Sequence, residues 1–343
     1  MGPGSPPASP GSAGMTRRVW MKRWVLVTSA FALLVLSALP ALAQPYPHRT
    51  VSVIVPYPAG GSVDVVARLI VQKLNESMGA NFIVENRAGG AGGAVGANVV
   101  AKAAPDGYTL MLTASIHIIT PFLNSKIPYD AVHDFAPISL VAAGPLLVST
   151  APNVPANSLK EFFALVRMTP DKFTFATSSF GSAGHLAVEL LKRDAKVDTL
   201  VIAYKGAGPM LNDIMGGQVQ LIADPMASSL PLAEAGKIKA LAVTSTKRVA
   251  AAPNIPTVAE SGMTGFDFSS WYGLWGPKGL PADIVEKLRA EVAKALTQSD
   301  IKERLGTLGF EPIGSGPQEF ANFIDVEAAR YQQIIKDAGI KTE

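Results

Sequence analysis

Four times in this sequence a short apolar run gives way, through a corner of glycine, serine or proline, to a helical pattern. Val51 to Val55 meets Pro56-Tyr57-Pro58-Ala59-Gly60-Gly61-Ser62 and then a helix over Val63 to Leu74, with Val63, Val66, Ala67, Ile70 and Leu74 on one face. Asn81 to Glu85 meets Gly89 to Gly93 and a small-residue helix from Ala94 to Ala103. Phe173 to Thr177 meets Ser178-Ser179-Phe180-Gly181-Ser182 and a helix over Ala183 to Arg193, and Thr199 to Ala203 meets Tyr204-Lys205-Gly206-Ala207-Gly208 and a helix over Pro209 to Met215. Strand and helix in strict alternation predict parallel sheets with right-handed crossovers. In such sheets the loops leaving the carboxyl ends of the strands are where ligands sit.

The alternation falls into two series. Tyr108 to Thr113 closes the first, and Ile138 to Ser149, long and apolar without a helical period, reads as a strand crossing into the second. There a helix capped by Ser158 runs to Met168, and strands follow over Val219 to Ala223 and Ile238 to Thr244, with a short helix over Ser228 to Ala235 between them. Ile238 to Thr244 is the expected return crossing, ahead of an aromatic strand over Phe266 to Trp275 and an amphipathic helix over Pro281 to Gln298. Two α/β units joined by two crossings make two lobes around a cleft. The expected boundaries are residues 44–146 and 243–343 for the first lobe and 147–242 for the second.

The first 43 residues stand apart. Arg17, Arg18, Lys22 and Arg23 precede an apolar run from Trp24 to Leu39, and Ala41-Leu42-Ala43 follows, the order of a secretory signal with cleavage after Ala43. Met1, Met15 and Met21 are alternative starts. Of 30 Lys+Arg against 27 Asp+Glu, this leader holds four basic residues and no acid, so the remainder carries 26 against 27. A net charge of −1 offers no global basic field for nucleic acid. The chain has no cysteine, which excludes disulfides, thiolate metal sites and a cysteine nucleophile. A periplasmic protein that relies on its cores fits these facts.

At the first corner, Gly60 and Gly61 allow close approach of backbone, Ser62 is placed to cap the helix, and the opening amides lack internal acceptors, which together make an anion seat. A plain tight turn with a capped helix is the competing reading. Neither G-x-x-x-x-G-K-[ST] nor G-x-G-x-x-G occurs, so a nucleotide loop is excluded. Gly89 to Gly96 reads either as a source of backbone donors or as close helix–sheet packing, with packing favoured for Gly92 to Gly96. Ser182 and His185 raise a serine-hydrolase reading, but Phe180 stands where the first glycine of G-x-S-x-G belongs, and Ser182 as helix cap is favoured. Lys205 reads either as an attractor for a carboxylate or as a solvated lysine. Asp224 reads either as a ligand contact or as a strand-end acid. His48, His117 and His133 have no metal-binding spacing. Ser115, after the third strand, is the better cleft candidate than His117, and Trp271 is a further candidate for the cleft wall.

The segments YPHRTVSVIVPYPAGGSVDVVAR, ENRAGGAGGAVGANVVAKAAPDGYTL, SSFGSAGHLAVELL, YKGAGPMLNDIMGGQVQ and VAESGMTGFDFSSWYGLWGP together resemble the substrate-binding proteins of tripartite tricarboxylate transporters, the TctC or Bug receptors. The resemblance runs from Tyr46 to the C-terminus. It implies a periplasmic binding protein fold of type II, with two lobes that close on a small organic carboxylate held mainly by backbone amides and ordered water. It carries binding roles onto Tyr57, Ala59, Gly60, Gly61 and Ser62 in the first lobe, with Ser115, and onto Ser178, Gly181, Ser182, Tyr204 and Asp224 in the second. It implies a monomer without cofactor or metal, not an enzyme, that delivers ligand to a two-subunit membrane permease. The alternatives are a sensor that presents ligand to a membrane signalling partner and an exported serine hydrolase.

Overall fold

The computed structural model describes residues 1–2, 4–5 and 46–340. The leader and its cleavage point therefore lie outside the described residues. Two units separate, Met1–Pro45 and Tyr46–Glu343, and the second carries the fold.

Its sheet begins with three parallel strands, β1 (Val51–Val55) between β2 (Phe82–Asn86) and β3 (Thr109–Ala114), with Val51 opposite Phe82 and Ser52 opposite Thr109. β1 is buried at four of its five positions, as expected of an interior parallel strand covered by helices. The chain then lays down β4 (Phe135–Thr150), 16 residues long. From Phe135 to Pro145 it runs antiparallel to β9 (Ser269–Pro277), which pairs in turn with β3. From Leu146 to Thr150 it runs antiparallel to β7 (Leu221–Pro225), and from Leu147 also to β8 (Lys239–Val243). Beyond β7 lie the parallel strands β5 (Thr174–Thr177) and β6 (Leu200–Ala203), and the short β10 (Glu311–Pro312) adds to β4. β4 thus belongs to both ends of one sheet.

Ile238 to Thr244, expected to make the return crossing, does not make it. β8 stays beside the distal stretch of β4, and the chain rejoins the proximal stretch only at Ser269. Thr244 ties the two passages together: its Oγ1 accepts from Leu146 N at 2.8 Å and donates to Phe268 O at 2.6 Å, while Phe268 N donates to Thr244 O.

Helices follow the strands as the apolar periods predict. In α1 (Ser62–Met78) the stripe Val63, Val66, Ala67, Ile70, Val71 and Leu74 is buried, and the helix stops at Gly79 in the left-handed region. Each of the valine, isoleucine and leucine side chains contributes roughly 1.5–3 kcal/mol by burial, and a charge at Val66 would break the contact. α2 (Ala94–Ala101) presses on β1 so closely that a Cβ at Gly93 or Gly96 would lie 2.8 Å from Pro56. α3 (Ile116–Leu123) was not expected, since β-branched residues and Pro121 argue against a helix there; it forms because nearly all of it is buried, and packing overrides propensity. α4 (Leu159–Met168), α5 (Ala183–Ala195), α6 (Ala207–Met215) and α7 (Met226–Glu234) serve the β5–β8 end, and α8 (Ala282–Thr297), α9 (Ser299–Thr307) and α10 (Pro317–Asp337) complete the chain.

Candidate functional site

The corners at the carboxyl ends of β1, β2, β3, β5, β6 and β7 surround one cleft of about 1180 Å³. Of the residues singled out in the sequence, Tyr57, Ala59, Gly60, Gly61, Ser62, Ser115, Ser178, Ser182, Tyr204 and Asp224 line it. Gly181 does not. It is buried at φ +75°, where an added Cβ would meet the Leu123 side chain at 2.9 Å, so its glycine serves the turn and not the cleft. Trp271 does not line it either: it is buried, with Nε1 donating to Tyr331 Oη at 2.7 Å. Its neighbour Tyr272 takes the cleft face, because successive strand residues point to opposite sides.

The first corner differs from expectation in two respects. Ser62 is not the cap of α1; Gly61 is, and Ser62 is the first helical residue. Its Oγ accepts instead from Tyr272 Oη at 3.1 Å. The amide of Gly60 is not open to a ligand, because it donates to Asp64 Oδ2 at 2.9 Å. Arg68 Nε reaches the same oxygen at 3.0 Å and Asn86 Nδ2 reaches Oδ1 at 3.0 Å. Burial opposes ionisation of Asp64, but the bonds from Arg68, Gly60 and Asn86 outweigh it and hold the carboxyl below the usual carboxylate range. Asp64 thereby acts as a brace that fixes the loop, with Gly60 at φ +84°. The first bond within α1 runs from Val65 N to Gly61 O at 3.1 Å. The amides of Gly61, Ser62, Val63 and Asp64 therefore have no acceptor inside the helix, and these four residues line the cleft.

Beside them, Ser115 precedes α3. Its residue surface is fully buried and its hydroxyl has no hydrogen-bond partner among the described residues, although it lines the cleft. An unpaired buried hydroxyl costs about 1–3 kcal/mol, which a ligand acceptor would recover. Tyr57 fixes the floor, with Oη 2.8 Å from Thr113 Oγ1.

On the opposite wall, Ser182 caps α5 by accepting from His185 N at 3.1 Å, and its Oγ lies 2.7 Å from Thr177 Oγ1. The His185 imidazole does not face that hydroxyl; its Nδ1 accepts from Gly181 N at 3.2 Å. Burial, with Lys192 adding, lowers its pKa to about 4. Ser182 and His185 therefore form no nucleophile–base pair. Tyr204 Oη donates to Asp213 Oδ2 at 2.5 Å, and burial together with that carboxylate pushes the phenol up to about 12. Asp224, at the end of β7, is 1% exposed, accepts from Ser228 Oγ, and is raised by burial to about 7. Lys205 is the one basic side chain among the described residues of the lining. Among the described residues no group of His, Cys, Asp and Glu is placed to hold a metal.

Ser179, Ser228, Ser270 and Tyr272 also line the cleft and were not anticipated as site residues. Ser270 and Tyr272 share one face of β9 by the two-residue strand period, a signal present in the sequence. Ser228 becomes relevant only through its place one turn beyond Asp224.

The family profile described as "Tripartite tricarboxylate transporter family receptor" matches residues 66–340. BugT of Bordetella pertussis is 34% identical over 323 residues, spanning 94% of this chain and 99% of BugT. Among solved structures, that of the periplasmic binding protein BugD superposes with a TM-score of 0.82 at 35% identity, covering 87% of this chain and all of BugD. Rpa4515 of Rhodopseudomonas palustris, solved with adipate, gives 0.84 at 36% with the same coverage. MatC of that organism, solved with malate, gives 0.78 at 36%, covering 84% of this chain and all of MatC. These are binding proteins, not enzymes. With its α/β periplasmic binding protein fold, the chain belongs to the tripartite tricarboxylate transporter receptor family and is a periplasmic solute-binding receptor.

Proposed function

We propose that the cleft captures a small organic carboxylate. One carboxylate group sits on the open amides at the start of α1 and takes the Ser115 hydroxyl. Ser178, Ser182 and Tyr204 close on it from the other side. The observation that carries this is the pairing of unassigned α1 amides with a buried, partnerless Ser115 hydroxyl on one cleft wall. Among the described residues the lining contains no arginine and no metal-binding cluster, so the seat in this reading is built of backbone and hydroxyl dipoles, as helix N-termini allow. The adipate and malate of the two R. palustris relatives are carboxylates of the kind it would take.

The lobes in this reading are residues 44–146 with 243–343 and residues 147–242, and they swing on β4 and the Thr244–Ser269 passage. Ligand favours the closed form through contacts absent from the open one. The mature chain begins at Gln44, acts as a monomer and hands its ligand to a two-subunit membrane permease. A thermal-shift screen of the mature protein against a carboxylate library tests the reading. Ligand at 100 times its Kd stabilises by about 2.7 kcal/mol. Stabilisation by sugars or nucleotides alone would overturn it.

A further inference from the structure

Asp224 is a carboxyl group lining the cleft with no basic partner among the described residues. β4 brings Leu147 opposite it. α7 brings Ser228, whose Oγ reaches Asp224 Oδ2 and also lies 2.9 Å from Pro225 O. β9 brings Tyr272, which connects across to Ser62 at 3.1 Å and is itself raised by burial to about 12, with Asp224 contributing. The remaining titratable groups of the lining are Tyr57, Asp64, Tyr204 and Lys205. Asp64 is bound up with Arg68, and Lys205 forms no ion pair with Asp224. Oδ1 of Asp224 receives no donor from the described residues. A carboxylate there would be desolvated and unpaired, which is costly.

We propose that Asp224 carries a proton when ligand is held and donates it from Oδ1 to a second acceptor on the ligand, so that the receptor takes up a proton as it binds. This rests on the carboxylate-receptor reading above. In the arrangement ready for ligand, Ser228 gives its one proton to Oδ2, which leaves Oδ1 as the donor. The first carboxylate of the ligand occupies the α1 amides, and the second meets Asp224. Two carboxyl groups in contact share one proton, because both cannot ionise side by side. An ammonium group in the same place would need the ionised form and would be disfavoured. The raised pKa of about 7 places the switch inside the neutral range, and a second anion drawn close raises it further.

The test is titration calorimetry of the mature protein with adipate and with hexanoate from pH 6 to 8.5, in buffers of differing ionisation enthalpy. For adipate, affinity falls about 30-fold over this range as the competent fraction shrinks. Proton uptake rises from near zero at pH 6 towards one per ligand at pH 8. Asp224→Asn, which keeps a donor without a titrating proton, abolishes both the fall and the uptake while still preferring adipate. A flat wild-type profile with no proton uptake overturns the proposal while adipate binding upholds the receptor reading. So does an unchanged profile in Asp224→Asn. If no carboxylate in the library binds at any pH, both readings fall. The wild-type profile stands by itself should the variant fold poorly.

Discussion

Ser115 and Asp224 show how single side chains in this cleft are kept in states that folding alone does not favour. The Ser115 hydroxyl has no partner among the described residues, so Ser115→Ala removes the proposed ligand contact without removing a fold contact. The expected outcome is a melting temperature equal to or above wild type and a carboxylate Kd about 5–10-fold weaker, from the net loss of about 1 kcal/mol of hydrogen bonding. A matched fall in unliganded stability would mean that the hydroxyl is structural. For Asp224 the folded pKa of about 7 lies above the unfolded value near 3.8. Its contribution to stability is therefore present in full below about pH 4 and lost as pH rises through 7. Asp224→Asn escapes that loss. Relative to wild type it should gain stability between pH 4 and pH 8, on the order of 4 kcal/mol at most, measured by denaturant unfolding at each pH. An equal difference at both ends would show that the wild-type carboxyl ionises without cost.

The element scale is where the sequence was most readable, and the reason is periodicity. Val63, Val66, Ala67, Ile70 and Leu74 announce α1, and Ser158 and Ser182 announce the starts of α4 and α5, where each accepts the amide three residues on. α3 was not readable, because only burial makes a helix of Ile116–Leu123. In β9 the two-residue period groups Ser270 with Tyr272, but which face meets the cleft was not readable, since Trp271, Tyr272 and Trp275 put large side chains on both faces and only the partners of each decide it. The Gly60–Asp64 brace was hidden for a different reason. The spacing from Asp64 to Arg68 suggests an ion pair, but the amide four residues back donates to the same oxygen as well, and that geometry exists only once the corner is folded. The Ser182 cap supplies a test that separates helix capping from catalysis. Ser182→Ala should lower stability by about 0.5–2 kcal/mol and leave hydrolysis of small esters at the level of buffer. Ester turnover that disappears in the variant would restore a nucleophilic role.

For the whole molecule the controlling feature is that one strand, β4, serves both ends of the sheet, and that the second passage between the ends is pinned by a threonine. Leu146 N and Phe268 O both depend on Thr244 Oγ1, and all three residues are buried. Leu146 is also where β4 leaves β9 and takes up β7. If the lobes swing at this point, as proposed, the threonine hydroxyl is a bond that both conformations must retain or trade. Thr244→Val keeps the shape of the side chain and removes the hydroxyl. It strands one buried amide and one buried carbonyl, each at a cost of about 1–3 kcal/mol, so the melting temperature should fall clearly. A pin that merely held the fold would leave ligand-induced compaction intact. A pin within the hinge would change it, so that small-angle scattering with saturating ligand shows a smaller decrease in radius of gyration than wild type. Wild-type scattering that is the same with and without saturating ligand would count against lobe closure itself, whatever the variant does.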